Sequence, residues 1–220
     1  AAEAYGALAK ALAWPARLAF PALDVLRVAL LQPSAPALVR QATPNLVPRL
    51  LALAREGLDE GVAPAVAMAL RCVANLCAVS QFHALVGEHA PDALETAADG
   101  LNRSTNAAAR TAAATVLLNF AVFIRSSPAD EEAAQAQIMS ALAPALATAA
   151  QAGGDTTGDQ EVALRSMVAL GTLLHSQKGA DFVKSLARDL GSTESVQALA
   201  ERGPERLRPC AGALLGALAS

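Results

Sequence analysis

The sequence predicts an all-α protein built from stacked helical repeats, and three observations support this fold class. Apolar residues make up 54% of the 220 residues, yet only 3% are aromatic, because alanine and leucine dominate. These two side chains have the highest helix propensities of the apolar residues. No segment alternates between apolar and polar residues in the way that marks a half-buried strand. The third observation is an internal repeat.

The repeat consists of three similar segments and a weaker fourth. They read ALRCVANLCA from residue 69, AATVLLNFAV from residue 113, ALRSMVALGTL from residue 163 and RPCAGALLGAL from residue 208. Aligning Asn75, Asn119, Gly171 and Gly212 gives steps of 44, 52 and 41 residues, and the polar insertion GGDTTGD at residues 153–159 lengthens the second step. A period of about 40 to 47 residues is typical of HEAT and armadillo units, which stack two or three helices each.

Proline and asparagine mark the helix boundaries, because proline breaks or opens a helix and asparagine caps its start. We expect helices at residues 22–31, 35–41, 46–55, 65–79, 91–101, 106–124, 130–151, 160–175, 180–190, 193–201 and 204–218. Pro44 separates the second of these helices from the third, and Pro64 and Pro91 lie at the starts of the fourth and fifth helices. Residues 102–106 cap the sixth helix, and Pro128 precedes the seventh. The insertion at residues 153–159 precedes the eighth helix, and Pro204 opens the last one. The repeated helices are apolar nearly all round, as expected when neighbours pack on both sides. Pro144 lies inside the seventh helix, where we expect a kink or a split.

Charge and cysteine content disfavour several classes of function. The net charge is −3, so the chain is not a polycation of the kind that binds nucleic acid. Its three cysteines lie in apolar runs, which predicts buried, reduced thiols and a cytoplasmic or nuclear location. We see no signal or transit peptide and expect the chain to be a fragment of a longer protein. Residues 133–154 lack charge but contain glutamines and a proline, so we predict a soluble helix and no membrane partner.

Motifs for catalysis and metal binding are not found in the sequence. Cys72 and Cys77 are five residues apart, which does not match the spacing of zinc ligands. A cysteine nucleophile with His83 or His175 as its base is a second interpretation, but burial as small apolar residues is the favoured one. A helical carrier for apolar ligands is a further alternative, suggested only by the alanine and leucine content. We therefore expect a protein that is not an enzyme and that uses no cofactor and no metal.

Acidic residues are unevenly distributed along the chain. All 20 carboxylates fall outside residues 25–55, 61–87, 100–129 and 162–180, and these four stretches carry ten basic residues. In armadillo-type repeats the third helix of each unit lines a concave surface. A concave groove could then present Arg71, Asn75, Asn119 and Arg165 without a competing carboxylate, which suits an acidic or phosphorylated peptide. Two alternatives stay open: the arginines could be solvated helix ends or structural donors, and the asparagines could be satisfied core amides.

Four segments resemble those of a known domain family. FPALDVLRVAL from residue 20, ALRCVANLCA from residue 69, LLNFAV from residue 117 and MVALGTLL from residue 167 are similar to the PUL domain. This domain is the C-terminal armadillo-like module of phospholipase A-2-activating protein and of its yeast counterpart, the ubiquitin-fusion-degradation adaptor. The resemblance runs from about Trp14 to Leu218, and it implies one armadillo-like domain of about six units over residues 1–220.

The resemblance also implies a function and a set of contacts. It implies a non-catalytic adaptor in ubiquitin-dependent degradation that binds the C-terminal tail of the hexameric AAA+ unfoldase valosin-containing protein through a basic concave groove. Ubiquitin would bind only through other domains of the parent protein. In this chain Arg27, Arg71 and Arg165 would bind the carboxylates of the tail, Asn75 and Asn119 would bind its backbone, and Lys178 would complete the groove. The alternative is an interaction module fused to a thioredoxin-like or desumoylating-isopeptidase-like enzyme, for which it would bind the partner.

Overall fold

A computed structural model describes residues 2–42, 45–125, 131–152, 157–176 and 178–220 of the chain. Within these residues every regular element is helical, which confirms the all-α prediction. The α-helices are α1 (Ala2–Leu12), α2 (Ala16–Ala29), α3 (Ala35–Ala42), α4 (Leu46–Asp59), α5 (Ala63–Ala78), α6 (His83–Gly87), α7 (Ala90–Asn102), α8 (Ala107–Arg125), α9 (Glu132–Ala152), α10 (Thr157–Leu174), α11 (Ala180–Asp189), α12 (Ser192–Arg202) and α13 (Arg208–Ala219). A short 3₁₀ helix at Ser80–Phe82 precedes α6.

Most of the expected helices form within a few residues of their predicted bounds. The sequence predictions did not include α1 or the five-residue helix α6, and they started α2 six residues too late. The last helix begins at Arg208 because Pro204 starts a turn instead. Two expected breaks, at Thr43-Pro44 and Ser127-Pro128, lie outside the described residues, as does much of the 153–159 insertion.

Both internal prolines are accommodated within continuous helices. Pro21 lies inside α2 and Pro144 inside α9, so of the kink or split expected at Pro144 the split does not occur. Proline lacks the N–H that would bond the carbonyl four residues earlier. Pro21, Pro144 and the residues four positions before them, Arg17 and Ser140, are all exposed, so water can reach that side of each helix.

The chain divides into two compact units, residues 1–116 and 117–220, with the boundary inside α8. In the first unit α5 is the central helix, and it packs against both α2 and α4. In the second unit α9 packs against α10, α11 and α12, while α13 packs against α10 and α12. The repeated segments found in the sequence correspond to α5, α8, α10 and α13.

Leucine, valine and alanine form the core of each unit. Leu23 and Leu26 of α2 and the following Leu30 are spaced at helical intervals and are buried in the core of the first unit. Ten of the sixteen residues of α5 are buried, as expected for a helix covered on more than one side. Small residues let these helices approach closely: a Cβ added at Gly57 of α4 would lie 2.9 Å from Val66 Cγ2 of α5.

The helix α8 is long and apolar enough to cross a membrane if judged by length and composition alone. Half of the relevant window is buried inside the protein, and the core helix of a helical repeat meets the same two criteria. Its buried face includes Ala113, Leu117 and Phe120. We therefore interpret α8 as a packed core helix.

Truncating a core side chain of α5 tests this packing. Leu70→Ala should lower the free energy of unfolding by about 2–5 kcal/mol, because Leu70 is fully buried and its removal leaves a cavity. Leu18→Ala makes the same chemical change at a side chain that is 54% exposed, and it should cost far less. Urea unfolding followed by circular dichroism measures both. Equal losses in the two variants would contradict the packing described here.

Candidate functional site

In the first unit, polar contacts join α5 to the end of α2. The Asn75 side-chain amide donates to the Arg27 carbonyl at 2.6 Å, and the Cys72 thiol donates to the Leu23 carbonyl at 3.4 Å. Arg27 belongs to the last turn of α2, where carbonyl oxygens lack partners within the helix. Asn75 therefore satisfies a helix end. The bond from the Asn75 nitrogen fits the interpretation of this side chain as a structural amide. Contact between the Asn75 oxygen and a ligand stays a prediction.

Arg27 and Arg71, the two arginines of α2 and α5 that were predicted to bind carboxylates, differ in their surroundings. The Arg27 guanidinium pairs with Asp24 at 2.6 Å, three residues earlier on the same helix. Arg71 is half-buried, and its Nη1 lies 4.0 Å from the sulfur of Met68, which is at most a weak contact. No carboxylate among the described residues pairs with Arg71. This arginine can therefore bind an incoming carboxylate without breaking an ion pair.

In the second unit, Arg165 belongs to a cluster of three charges. Arg165 Nη2 lies 2.8 Å from Glu161 Oε1, and Arg206 Nη2 lies 2.6 Å from Glu161 Oε2. The hydrogen bond from Arg206, followed by that from Arg165, holds the pKa of Glu161 below its ordinary value. Two guanidinium groups share this carboxylate, and the three groups together carry one net positive charge. Arg206 was missed because it lies 45 residues from Glu161 and no local pattern connects them.

The expectation that no carboxylate competes in the groove is therefore wrong for Arg165, and Arg27 also has a carboxylate partner. Asp24 and Glu161 each lie one residue before an acid-free stretch. Residues three or four apart are neighbours on a helix, so an acid just outside a stretch still reaches a base inside it. The helical period, and not the sequence interval, decides which charges meet.

Another arginine of the acid-free stretches has a structural role. Arg49 donates from Nε to the Leu12 carbonyl at 2.6 Å and from Nη2 to the Trp14 carbonyl at 2.8 Å, and it pairs with Glu56. It thus binds the carbonyls at the C-terminal end of α1 to α4. Arg49 is therefore a structural donor that holds these two helices together.

The remaining predicted residues belong to the second unit. Asn119 lies on α8, is half-buried and already interacts within the protein. Lys178 is exposed, and its carbonyl accepts a hydrogen bond of 3.0 Å from the buried Gln135 side chain. The following Gly179 has a φ of 80°, and a Cβ there would collide with Gln135 Oε1. The backbone that carries Lys178 is therefore held in place while its side chain is exposed.

Cys72 and Cys77 are buried, and the two imidazoles considered as their bases both bond backbone carbonyls. Burial raises the pKa of Cys77 to about 12 and the pKa of Cys72 still further. His83 Nε2 lies 2.9 Å from the carbonyl of Cys77, and His175 Nδ1 donates to the Gly171 carbonyl at 2.7 Å. In the part of the chain that the structure describes, no three His, Cys, Asp or Glu side chains are placed to hold a metal ion.

Comparisons with known proteins agree on family and fold. A family model described as the PUL domain matches residues 1–212 of the 220. Among solved structures, the designed armadillo repeat protein YIII(Dq)4CqI is similar, with a TM-score of 0.54 and 14% identity over 97% of this chain and 99% of that chain. At this identity the similarity concerns the fold alone. No curated protein sequence matches the chain significantly.

The Glu161 cluster predicts a pH-dependent contribution to stability. Because its pKa is lowered on folding, Glu161 stabilises the protein fully above the unfolded pKa, and this contribution is lost as the pH falls through the folded pKa. Glu161→Gln should lower the free energy of unfolding by up to about 1 kcal/mol at pH 7, with the difference vanishing at lower pH. Urea unfolding between pH 3 and pH 7 measures it. Glu205→Gln, at an exposed glutamate, is the control, and equal losses in both variants would contradict the cluster.

Thiol burial predicts an order of alkylation. Iodoacetamide at pH 7.5 should modify Cys210 first, because that side chain is only partly buried, while Cys72 and Cys77 react only after denaturation. Mass spectrometry of peptides from folded and urea-treated protein measures the sites. Modification of Cys72 or Cys77 in the folded protein at the rate of a free thiol would revive the interpretation of a cysteine nucleophile.

Proposed function

Because this chain belongs to the PUL domain family, we propose that it is a non-catalytic adaptor module that binds the C-terminal tail of the valosin-containing AAA+ unfoldase. The PUL domain is a protein-interaction domain with a helical-repeat fold, and the match over residues 1–212 carries the proposal. In this role the module acts in ubiquitin-dependent degradation in the cytoplasm or nucleus. Ubiquitin binds other domains of the parent protein.

Arginine side chains provide the chemistry that this partner needs. Guanidinium groups bind carboxylates through paired, charge-assisted hydrogen bonds. Of the two arginines predicted in the first unit, Arg71 is the better-placed donor, since none of its described contacts is with a carboxylate whereas Arg27 pairs with Asp24. In the second unit, the Arg165–Glu161–Arg206 cluster supports binding because it keeps a net positive charge.

The other predicted residues have smaller roles in this proposal. Arg27 must exchange Asp24 for a carboxylate of the tail, and an exposed ion pair of this kind contributes only about 0–1 kcal/mol. Asn75 acts mainly by holding the end of α2, and Asn119 and Lys178 contribute hydrogen bonds and charge. A flexible tail must be ordered on binding, which costs about 2–5 kcal/mol. We therefore expect a micromolar dissociation constant, about −8 kcal/mol.

Charge reversal at Arg71 tests the proposal. A fluorescent peptide that copies the last ten or so residues of the unfoldase should bind the 220-residue chain saturably, and more weakly at higher salt. Arg71→Glu should weaken binding about tenfold or more, because it replaces attraction by repulsion without breaking a described ion pair. Fluorescence anisotropy at two salt concentrations measures the affinities.

The matched control is Arg188→Glu, which reverses the charge of an exposed arginine on α11 that lies outside the predicted contact set. It should leave the affinity nearly unchanged, and circular dichroism should show that both variants fold. Tight binding by folded Arg71→Glu would remove Arg71 from the contacts. An absence of binding by the wild-type chain at high concentration would refute this partner while leaving the family assignment intact.

A further inference from the structure

The second unit contains an open groove between α10 and α13 that the sequence did not indicate. Its volume is about 420 Å³, and its lining includes Met167 and Val168 of α10, His175 directly after α10, Leu214 and Ala217 of α13, and Arg125 at the end of α8. We call it the α10–α13 groove. Its volume lies within the range of sites that bind small ligands or single anchoring side chains.

Helical spacing explains why these residues share one groove. Val168 on α10 and Thr172 one turn later share one face of that helix, and His175 follows directly after its end. Cys210 and Ala217 are seven residues apart on one face of α13. The lining contains small residues such as Gly171, where an added Cβ would lie 3.7 Å from Leu214 Cδ1. The two helices therefore leave space between them that their own side chains do not fill.

The floor of the groove is apolar and its rim is partly exposed. Met167 and Leu214 are almost fully buried, whereas Val168 at the rim is 41% exposed. Val122 of α8 is also exposed, and it lies three residues before Arg125 on the same helix face. An apolar side chain that entered the groove would be removed from water on several sides, which is favourable in proportion to the area buried.

The charged and polar groups that line the groove narrow the class of ligand that it can bind. Arg125 is exposed, and none of the described residues that line the groove is acidic. His175 uses Nδ1 to bond the Gly171 carbonyl, which leaves Nε2 as the acceptor of the neutral ring. The groove thus combines an apolar floor with one cation, and this arrangement complements an apolar side chain that has a carboxylate beside it.

We propose that the α10–α13 groove anchors one large apolar side chain of a peptide whose neighbouring carboxylate pairs with Arg125. This inference rests on the proposed peptide-binding function and adds a side-chain preference to it. Leucine- or phenylalanine-sized residues fit such a groove, whereas alanine leaves it unfilled. The groove gives the domain a means of selecting among acidic peptides that total charge alone does not provide.

Two peptides and two pairs of variants test the anchor. The peptides are fluorescent ten-residue chains with the same five carboxylates, and they differ only in a central phenylalanine or alanine. The wild-type 220-residue chain should bind the phenylalanine peptide about tenfold or more tightly than the alanine peptide. Ala213→Trp, which fills the groove, should abolish this preference, whereas Ala219→Trp on the same helix should keep it.

The charge is tested separately. Arg125→Glu should weaken both peptides about equally, and the control Arg202→Glu should leave them unchanged. Each substitution reverses the charge of an exposed arginine in the last turn of a helix, so both change the interaction with the helix dipole in the same way. An equal effect of the two substitutions on affinity would overturn the role of Arg125.

A measurement on the wild-type chain tests the anchor without depending on whether a variant folds. Cys210 lines the groove, so saturating phenylalanine peptide should slow its alkylation at least severalfold, while the alanine peptide at the same concentration should not. Equal affinity of the two peptides, or unprotected Cys210 in the bound complex, would overturn the anchor. Displacement of both peptides by micromolar oleate without discrimination between them would overturn it in favour of a carrier of apolar ligands.

The anchor and the proposed partner can fail independently. If the unfoldase tail binds in an Arg71-dependent manner but Ala213→Trp has no effect, the partner stands and the anchor is refuted. If the unfoldase tail does not bind but the phenylalanine peptide binds and protects Cys210, the anchor stands and the partner is refuted.

Discussion

The close approach of helices rich in alanine and leucine is the constraint on which this structure depends. Ala19, Ala65 and Ala69 are fully buried, and the backbone of Gly57 lies too near Val66 for an unstrained side chain. With few aromatic side chains to fill space, the helices must pack at short distances. Polar groups between them then need partners at hydrogen-bond distance, as Asn75 has in the carbonyl of Arg27. Packing thus fixes both the core and the backbone that carries the basic side chains.

The carboxylates of the protein that already pair with the arginines determine how strongly those arginines can attract a ligand. Exposed ion pairs are weak and are screened by salt, so Arg27 can exchange Asp24 for a ligand carboxylate at little cost. Arg165 and Arg206 share Glu161, which orders both guanidinium groups and leaves one positive charge. Arginines paired in this way favour moderate, salt-sensitive affinity for an acidic peptide. This pairing also means that charge alone selects weakly among acidic peptides.

The sequence predicts local structure better than it predicts the site. The repeat in the chain led to α5, α8, α10 and α13, because helix propensity and apolar spacing are local properties. The pairing of Arg206 with Glu161 and the binding of Leu12 and Trp14 by Arg49 depend on contacts between distant segments, which no local pattern encodes. Acid-free stretches failed as evidence for unpaired arginines, since a helix brings Asp24 and Glu161 back to its own bases. The α10–α13 groove depends on the spacing between two helices, which composition cannot give.

Nuclear magnetic resonance of the arginine side chains tests the central claim most directly, namely that this chain binds acidic peptides through specific guanidinium groups. The Nε–Hε resonances can be assigned by substituting single arginines and then followed while the unfoldase tail peptide is added. The account predicts saturable shifts at Arg71 and Arg165, with little change at Arg49, which is held by the carbonyls of Leu12 and Trp14. Binding that shifts neither Arg71 nor Arg165 would contradict it.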